Sequence, residues 1–431
     1  MYDNNIKLLE LNALKHKIES LDIITESNQL IAIVKMKKVS PNCPVCSSDK
    51  HKFNCYKTKK IIHSISTQKP CIIRFKQRRY QCLVCGKTFS EANPFVAPKS
   101  NIGHLTKLSI LDYLKDFNHT FTDTAKLFNV SIQSVIDIFD KAVEARRRIL
   151  PEVICIDEVF TSKMNKYKYA CVLLDFNRSK IIDIIATRHK NYLIEYFSRI
   201  PQKEKDLVKV FSMDMWDSYR DVVKLCFPKA LIAVDSFHII RNLNEAIKTI
   251  RIKVQSKYYQ NRSKLEHHDM YYYMLKKFHY FFVKDYESIY DGKIKMTKYQ
   301  TYWHKSEILS YLLSIDDDLT KAYRLKERYR EFNLTADYET CNDELDDLIF
   351  EFRNSTLDEF RLFGKTLLRW QDEIKNSFIR INKRRISNGP IESANNKIKT
   401  VIKTSNGIRK FTRFRNRVLY SINKDIPLQN K

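Results

Sequence analysis

Val153-Ile-Cys-Ile-Asp157-Glu158 sets four apolar residues directly against two carboxylates, the pattern of a strand buried on both faces whose chain then turns polar. Four more short apolar runs follow it: Tyr169-Ala-Cys-Val-Leu-Leu, Ile181-Ile-Asp-Ile-Ile, Val208-Lys-Val-Phe-Ser-Met and Ala230-Leu-Ile-Ala-Val. Each is bounded by turn or helix signals, so five buried strands are expected. Helical stretches over 193–200 and 218–226 separate the third run from the fourth and the fourth from the fifth, which predicts a mixed α/β sheet.

Asp157 closes the first run, and Asp214 closes the fourth in Val210-Phe-Ser-Met-Asp214-Met-Trp-Asp217. Carboxylates leaving buried strands are costly unless they meet a cation, although an aspartate at such a place also serves as a helix cap. Asp235 follows the fifth run in the same way, so Asp235 and Asp217 are rival ligands, while Glu158 is expected to point away from its neighbour's face. The third member of the set lies far downstream, in Ser387-Asn-Gly-Pro-Ile-Glu392-Ser-Ala-Asn-Asn-Lys-Ile-Lys399, where Asn388-Gly389-Pro390 reads as a turn feeding a helix. From Arg380 to Arg417 there are twelve Lys and Arg residues and Glu392 is the one acidic side chain. Glu392 in a first helical turn suits the helix dipole. A phosphate backbone drawn to those cations would nevertheless repel it, unless a divalent ion stands between.

The chain has 431 residues, and 77 Lys and Arg against 50 Asp and Glu leave a net charge of +27. So large an excess, spread over the chain, points to a polyanionic partner. Only six glycines occur, never closer than 17 positions, which rules out a Walker loop and a G-x-G-x-x-G fingerprint. No apolar run approaches the ~18 residues that span a bilayer, and Met1-Tyr-Asp-Asn-Asn lacks the start of a secretory signal, so a cytoplasmic chain with no membrane partner is expected. Ten cysteines in a reducing compartment are not expected to form disulfides, so paired spacings among them are read first as metal binding.

Cys43-Pro-Val-Cys46 and Cys82-Leu-Val-Cys85 are two such pairs, enough to close a tetrahedral zinc site. Between them, Ile72-Ile-Arg-Phe-Lys-Gln-Arg alternates, placing Arg74, Lys76 and Arg78 on one face of a strand and Ile73 and Phe75 on the other. From His51 to Ser90 there are ten Lys and Arg residues and no acidic one, so a basic zinc ribbon is expected, with Cys55 and Cys71 as core residues and His51 and His63 as weaker ligand candidates. Phe121-Thr-Asp-Thr-Ala125-Lys-Leu-Phe-Asn129-Val-Ser131-Ile-Gln-Ser-Val135 fits two helices about a tight turn, with Asn129 left-handed, Ser131 a cap, and Gln133 and Ser134 facing a DNA groove; an ordinary helical hairpin fits as well. The Tyr- and Lys-rich stretch over 240–290 and the acidic-faced stretch over 316–373 show helical spacing.

Together these motifs resemble the bacterial insertion-sequence transposases of the ISL-three type, within the D-D-E superfamily. The carriers are the two cysteine pairs, the segment from Ala125 to Val135, Ile156-Asp157-Glu158, Met213-Asp214-Met-Trp-Asp-Ser-Tyr219, Val234-Asp235-Ser-Phe-His-Ile-Ile-Arg-Asn-Leu-Asn and, most specific, the tail around Glu392. The resemblance implies a multidomain α/β chain: an N-terminal segment with a zinc ribbon (1–95), a helix-turn-helix (100–148), an RNase H-like core (150–240) with a large helical insertion (241–383), and core completion with a basic C-terminal region (384–431). It implies Asp157, Asp214 and Glu392 as a catalytic triad holding Mg²⁺ or Mn²⁺, with Zn²⁺ on Cys43, Cys46, Cys82 and Cys85. It further implies binding of inverted repeats and target double-stranded DNA by a homo-oligomer near the nucleoid. Arg74, Lys76, Arg78, Gln133, Ser134, Lys397, Lys399, Arg409 and Lys410 are the expected DNA contacts. Two rivals stand beside this reading: a tyrosine recombinase, from the His238-Ile-Ile-Arg241 element, and a DNA-binding regulator whose core is degenerate.

Overall fold

The computed structural model describes residues 2–64, 70–161, 164–261, 266–289, 292–404 and 408–429; Gly407 and residues 262–265 and 290 of the expected helical stretch lie outside them. The chain forms two compact units, one of residues 1–146, 163–165 and 397–431, the other of 147–162 and 166–396. Residues 384–396 fall in the second unit and 397–431 in the first.

The first unit begins with α1 (Tyr2–Leu8) and a sheet built from β1 (Ile18–Glu26), β2 (Gln29–Met36), β3 (His51–Ile62), β4 (Cys71–Cys82) and β5 (Thr88–Ser90). The order is β1-β2-β4-β3, with β5 on β4. Leu21, Ala32 and Val34 of the first hairpin are buried against Ile73 and Phe75, which is why the early chain folds onto the ribbon strands. Lys76 is exposed opposite them, as the alternation requires, but beyond Gln77 the alternation reverses and Arg78 is buried. Its guanidinium donates to the Met36 carbonyl (2.7 Å) and pairs with Glu91 (3.2 Å) and Glu19 (2.8 Å). The expected common face of Arg74, Lys76 and Arg78 is therefore corrected: two carboxylates and a carbonyl draw Arg78 inward, where it ties β4 to β2.

Three helices follow, α2 (His104–Tyr113), α3 (Phe121–Leu127) and α4 (Ile132–Ala142). Asn129 takes the left-handed conformation (φ 53°) at the turn, and the Ser131 hydroxyl caps α4 by accepting from the Ser134 amide at 3.1 Å. The C-terminal helix Phe411–Asn423 packs here too. Its buried Arg417 donates to the carbonyls of Leu114, Asp116 (2.9 Å) and His119 (2.7 Å), and Tyr420 meets Phe139 edge-on.

In the second unit all five expected runs are strands: β6 (Val153–Phe160), β7 (Tyr169–Asp175), β8 (Lys180–Ile185), β9 (Val210–Met213) and β10 (Leu231–Val234). The sheet order is β10-β9-β6-β7-β8. β6, β7 and β8 form an antiparallel meander, whereas β9 and β10 run parallel to β6. The parallel crossovers carry α5 (Lys190–Ser198), α6 (Gln202–Lys205) and α7 (Asp217–Cys226).

After β10 the chain makes a helical insertion of α8 (Ser236–Asn261), α9 (Glu266–Lys277), a hairpin of β11 (Lys293–Met296) and β12 (Thr301–His304), then α10 (Lys305–Ser314), α11 (Asp317–Thr335), α12 (Cys341–Arg353), α13 (Asp358–Arg369) and α14 (Gln371–Asn376). The apolar stripes of these helices share one core with Val234 of β10. Gly364 lets α13 lie against α12, since a Cβ there would stand 2.8 Å from the Arg353 backbone nitrogen. Asn376 donates to the Ile232 carbonyl (2.8 Å), and Arg220 of α7 pairs with buried Glu373 (2.8 Å), fastening the insertion to the sheet. The unit's last helix is the start of α15 (Gly389–Thr404). Among the described residues, no helix is long and apolar enough to cross a membrane.

Candidate active site

Three parallel strands in register place the carboxylates. Ile156 is opposite Met213, and Met213 opposite Val234, so Asp157, Asp214 and Asp235 come next on three neighbouring strands. Asp157 does not end β6, which continues along β7 to Phe160; it stands where the pairing with β9 stops.

The head of α15 closes on this row. Asn388 donates through its side-chain amide nitrogen to Asp214 Oδ1 (2.8 Å) and through its backbone N–H to Asp235 Oδ1 (3.0 Å), while its side-chain Oδ1 accepts from Ser212 Oγ (2.7 Å). Asn395 donates to Asp157 Oδ2 at 2.7 Å. Positions 388, 392 and 395 follow the i, i+4, i+7 spacing of one helix stripe, so Glu392 shares a face with two amides that touch Asp214 and Asp157. The Glu392 side chain is exposed, and the four cysteines are the one metal-ligand grouping of three or more His, Cys, Asp or Glu among the described residues. The structure thus joins Asp157 and Asp214 and sets Glu392 on the facing stripe without drawing its carboxylate into contact.

His238, near the start of α8, lies between two members of the row, with Nε2 3.1 Å from Asp214 and Nδ1 3.5 Å from Asp235. Asp235, first, and Asp214 raise its pKa against the effect of burial. Burial and the neighbouring Asp214 carboxylate push Asp157 up to about 7, and burial raises Asp214 as well, against the pull of His238. Two desolvated carboxylates stabilised by neutral amides and one imidazole fit a divalent cation, which would offset the burial and the Asp214 repulsion that hold the Asp157 proton.

A stability consequence follows in the metal-free protein. Folded Asp157 keeps its proton to about pH 7, whereas in the unfolded chain it releases it near the ordinary value of 3.8. The folded form therefore binds more protons between those limits, and stability falls as pH rises through them. Asp157→Asn should flatten that slope and stabilise the metal-free protein above pH 7 by on the order of 4 kcal/mol. Urea titrations at several pH values in EDTA check this, and an unchanged slope would assign the titration to another group.

Glu158 and Asp217 stand apart from the row. Glu158 pairs with Arg188 (2.7 Å), which lies over the rings of Tyr169 and Trp216, and Asp217 pairs with Arg369 (2.5 Å). Asn388, Asn395 and Arg188 were not legible as site residues. For the two asparagines the available signal is their helical spacing from Glu392.

The second centre is the cysteine quartet, whose four sulfurs lie within 4.8 Å of one another. Cys43 and Cys85 are 3.6 Å apart, Cys46 and Cys82 3.5 Å, close to the ~3.8 Å that thiolates ~2.3 Å from a tetrahedral zinc require. Both knuckles use the same turn, with Ser47 (φ 58°) and Gly86 (φ 69°) left-handed and donating to the carbonyls of Cys43 (2.8 Å) and Cys82 (3.1 Å). Backbone N–H groups of Cys46 and Val45 lower the Cys43 thiol, and chiefly that of Cys85 brings Cys82 down to about 6. Although the Ser48 amide pulls the other way, burial and its three sulfur neighbours push Cys46 up to about 12. His51 is outside the quartet, packed against Tyr80, and buried His63 is hydrogen-bonded to the Leu9 carbonyl at 2.8 Å.

Of the expected DNA contacts, Lys76, Gln133, Lys397, Lys399, Arg409 and Lys410 are exposed. Arg74 is half-buried and paired with Glu26 (2.8 Å), and half-buried Ser134 shares a hydrogen bond with Ser131 (2.8 Å). Gln133 donates to Asp137 at 2.6 Å.

No curated protein matches the chain. A family model described as Transposase, for the ISL-three group of the DDE type, matches residues 154–418, more than half of the chain and the span from β6 to the C-terminal helix. The chain belongs to the ISL-three family of DDE transposases.

Proposed function

We propose that the protein is a metal-dependent DNA transposase that binds insertion-sequence ends and cuts and joins strands at Asp157, Asp214 and Glu392 on an RNase H-like core. The observation that carries the reading is the docking of the Asn388–Glu392–Asn395 stripe on two carboxylates brought together by parallel strands. The mixed sheet, a three-stranded meander with two parallel strands beside its first strand, supports the RNase H-like assignment. Asp157, Asp214 and Glu392 would hold Mg²⁺ or Mn²⁺, which would supply activation of the attacking water or 3′-hydroxyl and charge stabilisation at the leaving oxygen of phosphoryl transfer. The chain's own part is to hold the carboxylates: Asn395 fixes Asp157, while Asn388 and His238 fix opposite oxygens of Asp214. Lys397 and Lys399, exposed further along α15, would draw the DNA backbone toward Glu392. Joining conserves phosphodiester bonds, which agrees with the missing nucleotide-binding loops.

The zinc ribbon and the Phe121–Ala142 region are assigned to recognition of double-stranded ends and target, by a homo-oligomer assembled on DNA. Nicking of a plasmid carrying the element's ends, in Mg²⁺ and not in EDTA, tests the enzyme reading. Binding without nicking would leave the regulator with a degenerate core.

DNA affinity should also fall steeply between low and moderate salt, because Lys76, Lys397, Lys399, Arg409 and Lys410 would each release counterions. A flat affinity across that range would remove these groups from the DNA interface.

A further inference from the structure

Among the described residues between β10 and α14, the hairpin β11–β12 is the one strand pair, and its two faces differ in kind. On the inner face Met296 is fully buried, and Ile294 and Trp303 pack on the helical core, with Trp303 edge-on to Tyr311 at 5.2 Å. The outer positions carry Lys293 opposite His304 and Lys295 opposite Tyr302, which is 61% exposed. From Lys293 to Lys305 there are four lysines and no acidic residue. Among the described residues neither Lys293 nor Lys295 has a carboxylate partner.

The tip is fastened down. Lys277 of α9 donates to Thr297 (3.1 Å) and Tyr273 (2.8 Å), Lys298 pairs with Asp269, and the rings of Tyr273 and Tyr299 meet at 5.4 Å. The tip lysine is thereby spent on the fold, whereas Lys293 and Lys295 are exposed on the outer face. A solvated charged face is what an ordinary hairpin needs, but that need is met by mixed charges, as on α11 with its alternating Lys, Arg and Glu. An outer face of one sign, with exposed Tyr302 among the lysines, fits a polyanion whose phosphates the lysines meet and whose sugar edges the ring contacts.

We infer that the outer face of this hairpin is a further contact for double-stranded DNA, separate from the cysteine ribbon and from α15. The inference rests on the proposed transposase reading. Its test uses the full chain and a mixed-sequence duplex, measuring affinity over a range of salt. Lys293→Glu with Lys295→Glu should weaken binding at moderate salt by about tenfold or more and make the log–log salt slope shallower by about 2, one unit for each lost phosphate contact. Tyr302→Ala should weaken binding with the slope kept. Lys321→Glu with Arg324→Glu makes the same charge change on exposed positions of α11 and should have little effect. Unchanged affinity and slope in the hairpin variant would overturn the inference, as would equal weakening in both double variants, which would mean bulk charge alone. If the parent binds no duplex at all, the transposase reading itself falls.

Discussion

Glu392→Gln should leave the protein folded and bound to DNA while strand cleavage and joining drop by roughly three orders of magnitude or more, since two-metal sites supply much of the stabilisation of the phosphoryl-transfer transition state. The substitution keeps the length of the side chain and its place in the first turn of α15. Among the described residues the Glu392 carboxylate makes no ion pair that its loss would break, so the stability cost should be small. Asp157→Asn and Asp214→Asn should be similarly inactive. Asp217→Asn removes an ion pair with Arg369 away from the row and should be mild. Asp235→Asn has a different signature: Asp235 accepts the Asn388 backbone N–H and is nearly inaccessible, so its effect should register in the docking of α15 and in thermal stability. Plasmid cleavage in Mg²⁺, measured beside melting curves, separates these cases. Normal cleavage by Glu392→Gln with a folded but dead Asp235→Asn would move the third ligand to Asp235. Parent-like cleavage by every variant would end the two-metal mechanism for this chain.

The site was legible where chemistry and periodicity coincide in one short segment. The runs ending near Asp157, Asp214 and Asp235 are short and mainly apolar because parallel strands covered on both faces favour apolar side chains, so strand identity and carboxylate position could be read together. Register could not be read. That Ile156, Met213 and Val234 share a row is a property of strand order, which no single run encodes. Asn388 and Asn395 were hidden for another reason: an amide becomes a site residue only through what it touches, and these touch carboxylates 174 and 238 positions away. Alternation alone puts Arg78 outside, but Glu19 and Glu91, which lie outside β4, compensate its charge and let it be buried. The β1–β2 hairpin is not legible from its own residues, since its burial depends on β4, to which β2 pairs in parallel across an intervening segment.

Cys82→Ser should cost the protein its zinc and unfold the ribbon around the two knuckles, while the second unit keeps its cooperative melting transition. The reasoning starts from the quartet itself. Four sulfurs converge within 4.8 Å on two turns, and the strands leaving those turns, β3 and β4, pair along nearly their whole length. Along β3, residues 52–58 are exposed, so that half of the hairpin has little apolar burial of its own to hold it. In such a small element the metal supplies much of the folding free energy, roughly 10 kcal/mol or more for zinc on a comparable thiolate set. Replacing Cys82 also removes the thiol that the Cys85 and Val84 amides draw furthest toward thiolate, leaving a weaker hydroxyl donor in its place. Metal analysis of the purified parent should give one zinc per chain, and a strong chelator should reproduce the variant's loss of DNA-end binding without abolishing the melting transition of the second unit. Zinc-free parent protein with intact end binding would show that the quartet is four thiols and not a metal centre. A Cys82→Ser protein retaining stoichiometric zinc and a protease-resistant ribbon would show that three thiolates suffice.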